Sequence, residues 1–172
     1  MTRKFFIVAA LFSGLLLSLL AVMALLGTSI PEKHSVSVET QIPAAPSDVW
    51  NTLTDKQKAQ AINPELQAIK ESTDLSECEW LEVYTNQTEL CFEFETIQEP
   101  YELRKKIVSS EAPFQVQWSY NISEISPNMS LVKVTETGSI ANPLIRFLAH
   151  NFIGLESFVQ SHLDLLKSHF EK

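Results

Sequence analysis

Apolar and polar positions follow three successive rhythms along this chain. Residues 5–26 form a run of 22 without a charge, interrupted only by Ser13, Gly14 and Ser18. At 1.5 Å rise per residue such a helix measures roughly 33 Å, which matches a hydrocarbon core of about 30 Å. A core helix would be shorter or carry a polar stripe, and this run has none. From residue 34 the rhythm becomes a period of two, with Val36, Val38, Thr40 and Ile42 on one face, which predicts a half-buried strand over 34–42. Pro43 and Pro46 stop it. Asp48 then favours the first turn of a short helix over 48–53, and a second over 55–61 ends at Asn63-Pro64. Six strands follow, over 66–71, 79–84, 90–97, 103–109, 114–125 and 131–140, with turn-like stretches at 72–77, 85–89, 98–101, 110–113 and 126–130. The alternation is clearest where Phe114, Val116, Trp118, Tyr120 and Ile122 interleave with Gln115, Gln117, Ser119, Asn121 and Ser123. One face is dry and one is wet, as in an antiparallel sheet covered on a single side. Asn142-Pro143 opens the third rhythm, a long helix predicted over 143–170. Its broad apolar face carries Leu144, Leu148, Phe152, Leu155, Phe158, Val159, Leu165 and Leu166, while Arg146, Gln160, Asp164 and Lys167 point away.

A hairpin folded at Glu99-Pro100 places Phe94 opposite Lys105, Phe92 opposite Ile107, Glu95 opposite Arg104 and Glu93 opposite Lys106. The last two are outward ion pairs, so Arg104-Lys105-Lys106 reads as a solvated sheet edge rather than a binding patch. Lys105 faces inward by this register, with a stem long enough to carry its charge out. Cys78 and Cys91 open the two strands of the preceding hairpin. A turn centred on Tyr84-Thr85 sets them opposite for a disulfide, whereas one at Asn86-Gln87 offsets them by four residues and forbids it.

Charge changes the picture in two ways. The net −8 and pI near 5.0 argue against a nucleic-acid partner, which needs a basic face. Arg3, Lys4 and the terminal amine precede the apolar run, and by the positive-inside rule this leaves the N-terminus cytoplasmic and exports the rest. The competing reading is a cleaved signal peptide, but its small-x-small site, Val22-Met23-Ala24, falls inside the run. The division expected is a cytoplasmic tail over 1–4, a single-pass anchor over 5–27, a linker over 28–33 and a folded domain over 34–172. Without the anchor the chain is strongly acidic, so the domain is expected to stand off an anionic bilayer on a short stalk.

The residues also carry a resemblance. Val38 to Asp55, reading VETQIPAAPSDVWNTLTD, is similar to the opening of the polyketide cyclase/dehydrase and lipid-transport family of the START/Bet v 1-like (SRPBCC) superfamily. Ile62-Asn63-Pro64 resembles the family's following Trp-x-Pro-like segment with its Trp missing. Trp118-Ser119-Tyr120 and Val134-Thr135-Glu136-Thr137-Gly138 resemble its last two strands, and Asn142-Pro143-Leu144 the entry to its last helix. The resemblance covers residue 34 to the C-terminus. It implies an α+β helix-grip fold, a seven-stranded curved antiparallel sheet around a long C-terminal helix. It also implies a cavity for a hydrophobic, amphipathic or lipid-like small molecule. It implies no reaction, cofactor or protein partner.

Three polar residues stand where the pattern wants apolar ones. Asn151 and His162 lie near the centre of the long helix's apolar face, and Glu136 shares strand parity with Val132, Val134 and Ile140. A buried carboxylate or imidazole must find a partner, shift its pKa or meet solvent in a cavity. Phe94, Trp118, Tyr120, Phe147 and Phe158 are the aromatic candidates for a cavity wall, because they lie on the gripping surfaces. Trp50 reads as structural. No nucleophile elbow, phosphate loop or zinc motif occurs, and His150 and His169 lack ligands at metal spacing. Three functions remain open: a tethered binding module, a cyclase/dehydrase-type enzyme using a Glu136/His162 pair, and a filled-core interaction module.

Overall fold

The computed structural model describes residues 2–70, 78, 80–108 and 114–171. The turns expected at 72–77 and 110–113, and the strand ends at Glu71, Glu79 and Ser109, lie outside the described residues. Helix α1 (Thr2–Thr28) carries the apolar run. Then come β1 (Lys33–Ile42), α2 (Pro46–Thr54), α3 (Lys56–Ile62), β2 (Leu66–Lys70), β3 (Trp80–Tyr84), β4 (Glu89–Gln98), β5 (Glu102–Ile107), β6 (Phe114–Ser126) and β7 (Met129–Ile140). The strands form one seven-stranded antiparallel sheet in the order β1-β7-β6-β5-β4-β3-β2. The hairpin meander therefore runs uninterrupted from β2 to β7, and β1 closes the far edge against β7.

Asp55, expected as the first residue of the second short helix, instead caps α3, its carboxylate accepting from the Gln57 and Lys58 amides. The β4–β5 register is the expected one, Phe94 facing Lys105 and Phe92 facing Ile107. Outside the sheet Arg104 reaches Glu95 at 3.4 Å and Lys106 reaches Glu93 at 2.8 Å.

The long C-terminal helix is where the structure departs from the periodicity. Helix α4 (Pro143–Leu148) passes into a π-helical turn (Ala149–Ile153), Gly154 takes φ +72°, and α5 (Leu155–Phe170) starts afresh. The left-handed conformation suits glycine because no Cβ obstructs it. A wheel drawn at 100° per residue fails across such a break, since the π turn shifts the phase and Gly154 turns the chain. Hence Phe152 and Phe158, assigned to the apolar face, are 71 % and 55 % exposed, while Leu163, not assigned to it, is fully buried. Arg146, expected to point away, is buried as well.

Two interior zones share the concave face of the sheet. One is a filled core of Ile42, Val49, Trp50, Leu53, Val132, Val134, Val159, Leu163 and Leu166, sealed by α2 and α5. The other is a smaller aromatic cluster of Trp80, Phe92 and Ile107, with Phe94 and Trp118 against it. Cys78 is bonded to Cys91 with 5.6 Å between their Cα atoms. The β3–β4 turn is nevertheless centred on Asn86, with Cys91 opposite Leu81. The expected geometric exclusion fails because Cys78 precedes β3 and does not follow its line.

Candidate functional site

Between the aromatic end of the sheet and the first half of α5 lies a cavity of about 120 Å³. Strand parity builds its floor. Trp80, Glu82 and Tyr84 of β3, Phe92 and Phe94 of β4, Leu103 and Lys105 of β5, and Trp118 and Tyr120 of β6 all line it. Ala59, Ile62 and Leu66 close one side, and Phe158 and His162 of α5 the other. Outside it runs an open groove of about 610 Å³ that shares Asn63, Glu65, Phe158 and His162 with the cavity. These four residues form its mouth. Another depression of about 610 Å³, lined by Lys33, Glu93, Lys106 and Gln117 among others, lies on the outer face of the sheet and is open to solvent.

The cavity wall contains a buried ion pair. The Lys105 ammonium donates to Glu82 Oε1, and the two side chains are 15 % and 5 % exposed. Glu82 is held from two further sides, by the Trp80 indole at 2.9 Å and the Tyr84 hydroxyl at 2.6 Å. The Lys105 ammonium also lies 4.0 Å from the Phe92 ring centroid and 5.7 Å from that of Phe94, within cation–π range. Burial lowers the Lys105 pKa from its ordinary value, against the opposing pull of Glu82. The Tyr84 hydroxyl is pushed up, first by burial and then by the Glu82 charge.

Across the cavity Tyr120 Oη and His162 Nε2 are 2.9 Å apart. Burial, and after it the nearby Lys105 charge, lower the His162 pKa to about 4. The imidazole is therefore neutral at pH 7. Burial, then Glu82 and Glu136, raise the Tyr120 pKa, so its hydroxyl keeps its proton. The wall thus presents a cation, an anion, a neutral imidazole and two phenols around a void that is otherwise aromatic and aliphatic. Such a set can hold a polar oxygen or move a proton. Among the described residues no three His, Cys, Asp or Glu side chains are grouped to hold a metal ion.

A seven-stranded antiparallel sheet whose concave face holds a cavity under a C-terminal helix decides the architecture. The chain has the START/Bet v 1-like fold. No family model matches it, and no curated protein matches its sequence. Solved structures match it in shape. A START superfamily protein from Mycobacterium smegmatis is 13 % identical and superposes with a TM-score of 0.62, over 80 % of this chain and 97 % of that one. A point mutant of norcoclaurine synthase from Thalictrum, in complex with a transition-state analogue, is 7 % identical with a TM-score of 0.60, over 80 % and 94 %. The Thalictrum flavum enzyme in complex with dopamine and hydroxybenzaldehyde is 8 % identical with a TM-score of 0.58, over 83 % and 88 %.

In this START/Bet v 1-like frame five of the residues picked from the sequence line one cavity: Phe94, Trp118, Tyr120, Phe158 and His162. Three do not. Phe147 sits on α4 and stacks edge-on with Phe152, centroids 6.2 Å apart. Asn151 lies exposed in the π-helical turn and donates to the Phe147 carbonyl. Asn151 was placed by a helical wheel that the break at Gly154 invalidates, and Phe147, chosen because it lies on the gripping helix, sits before that break and turns to Phe152 instead. Glu136 is buried as its strand parity implied, but it accepts from the Trp118 indole at 2.8 Å and contacts His34 Nε2 at 3.2 Å, away from the cavity wall. The Glu136/His162 pair is therefore not assembled, because His162 pairs with Tyr120.

Sequence reasoning missed Glu82 and undervalued Lys105. The signal was there. In Trp80-Leu81-Glu82-Val83-Tyr84 a carboxylate shares parity with two aromatics. The β4–β5 register had already turned a lysine inward, and a lysine that keeps its charge inside needs an acid beside it.

Proposed function

We propose that this chain is a membrane-tethered binding module for a small amphipathic molecule held between the sheet and α5. The observation that carries this reading is the aromatic cavity with the Lys105–Glu82 pair in its wall. Apolar side chains would fill such a volume at lower cost than two desolvated charges. Charges kept beside a void are placed to meet a ligand's polar end, here an anionic or carbonyl oxygen facing Lys105. The rings of Trp80, Phe92, Phe94 and Trp118 receive the apolar body. A dry cavity of roughly 150 Å³ accepts benzene, so about 120 Å³ accommodates a ring or a chain end. The remainder of a hydrophobic or lipid-like ligand extends past Phe158 into the open groove.

The tether is α1, whose segment Phe5–Thr28 has the length and composition of a membrane span. Arg3 and Lys4 orient it with the N-terminus in the cytoplasm and the domain outside. The Cys78–Cys91 disulfide agrees with an oxidising exterior.

The test is native mass spectrometry of the full chain in mild detergent, with organic extraction of retained molecules. A discrete small molecule is expected on the wild type. Ala59→Leu, which fills the void from α3 and leaves the ion pair intact, is expected to lose it. A clean apo mass, with no thermal stabilisation by a panel of amphipathic aromatics and lipids, overturns the reading in favour of a filled-core module.

A second reading, a cyclase/dehydrase-type enzyme, is favoured by one observation. His162 Nε2 and Tyr120 Oη stand 2.9 Å apart on the cavity wall, an imidazole–phenol pair through which a proton could be passed to or from a bound molecule. Conversion of the extracted molecule by the wild type and not by His162→Gln selects catalysis over simple binding.

A further inference from the structure

The domain does not stand away from α1 on a stalk. Helix α4 packs directly against α1. On α1 the covered positions are Leu20, Met23, Ala24 and Gly27, a single face spaced by three and four residues. Pro143, the first residue of α4, touches Gly27 so closely that a methyl group there would collide with the Pro143 carbonyl. The buried Arg146 guanidinium locks the junction, donating to the Gly27 carbonyl at 3.0 Å and the Ile140 carbonyl at 3.3 Å and meeting Glu32 at 3.3 Å. The chain thus arrives along β7 at the end of α1, and α4 runs back beside α1 from Gly27 towards Leu20. That stretch measures about 10 Å, and all of it lies inside the apolar segment.

At the tip of this return stands the π-helical turn, with Phe152 71 % and Ile153 60 % exposed. No carboxylate occurs between Glu136 and Glu156, although the domain as a whole is acidic. Adjacent exposed apolar side chains mark a surface that is covered in use, and continuity with α1 names the cover.

We propose that residues 143–153 form a second membrane element, immersed in the outer part of the leaflet beside α1, with Phe152 and Ile153 inserted among the lipids. The inference rests on the proposed membrane role of α1. Interfacial helices bury their apolar face about 5–10 Å below the headgroup boundary, a depth comparable with the return of α4 along α1. His150 and Asn151, exposed on the same turn, hold the tip near headgroup level rather than in the hydrocarbon centre. Phe158, one helical turn beyond Gly154, then sets the cavity mouth next to the bilayer. A lipid-soluble ligand enters from the membrane without crossing bulk water.

Both native cysteines are in the disulfide, so single introduced thiols on the full chain can be labelled selectively. An environment-sensitive fluorophore is placed at Phe152→Cys, at Leu15→Cys in α1, and at Asn128→Cys in the β6–β7 turn, roughly 40 Å along β7 from Ile140. The protein is reconstituted in phosphatidylcholine vesicles containing spin-labelled lipid. Strong lipid quenching at 15 and 152, several-fold above that at 128, is the expected result. Quenching at 15 with 152 no different from 128 overturns the inference and leaves the anchor standing. A label at 152 shielded from iodide yet not quenched by lipid also overturns it, and points to a protein on this surface. No quenching at 15 removes the anchor reading and this inference together.

Discussion

Glu82 and Glu136 are alike in most respects that can be counted. Both are buried glutamates on the concave face, and both accept from a tryptophan indole, Trp80 in one case and Trp118 in the other. They differ in what stands beside them. Glu136 has His34 and stands outside the cavity lining. Glu82 has Lys105, Tyr84 and the cavity. A buried carboxylate is thus no site by itself, because hydrogen bonds can satisfy it completely. It becomes one where a second charge and empty volume adjoin it.

The comparison breaks most easily at Lys105. Replacing it with Met strands Glu82 in the wall without its counter-charge, and chemical denaturation should register a loss of about 3–5 kcal/mol. Adding Glu82→Leu to that variant should recover most of the loss. If Lys105→Met proves neutral on its own, the pair is not the buried ion pair described.

Acidification is the next largest effect. The His162 pKa is depressed to about 4 in the folded protein, against an ordinary 6.5. Between those values the unfolded chain binds a proton that the native cavity refuses, so stability falls as pH drops from about 6.5 towards 4. The full contribution is about 3 kcal/mol. Denaturant midpoints for wild type and His162→Gln across that range should converge as pH falls, and parallel curves would refute the depressed value.

Glu136→Gln sharpens the contrast from the other side. It keeps an acceptor for Trp118 but removes the charge, at a cost of about 1–2 kcal/mol. Ligand occupancy in native mass spectra should stay unchanged, and a lost ligand would return Glu136 to the site. Smallest of all, Arg104→Ala breaks the outward pair with Glu95 and should shift stability by less than about 1 kcal/mol.

How legible these features were follows from their range along the chain. The β4–β5 register and the outward ion pairs were readable because each is decided within a few residues by parity and turn position. Phe94, Trp118 and Tyr120 were readable as cavity residues for the same reason, since strand parity fixes the face on which each lies. Asn151 was misplaced because a π-helical turn and one left-handed glycine destroy the phase that a wheel presumes.

From its own pattern the chain determined an apolar helix of spanning length, a meander of antiparallel strands and an amphipathic C-terminal helix. Local hydrophobic periodicity settles such features before any long-range contact forms. Only the tertiary structure decided that Lys105 meets Glu82 rather than water, that Glu136 is satisfied by His34, and that α4 returns along α1. Each depends on which side chains from distant strands and helices arrive at the same place, and that is a property of packing rather than of spacing.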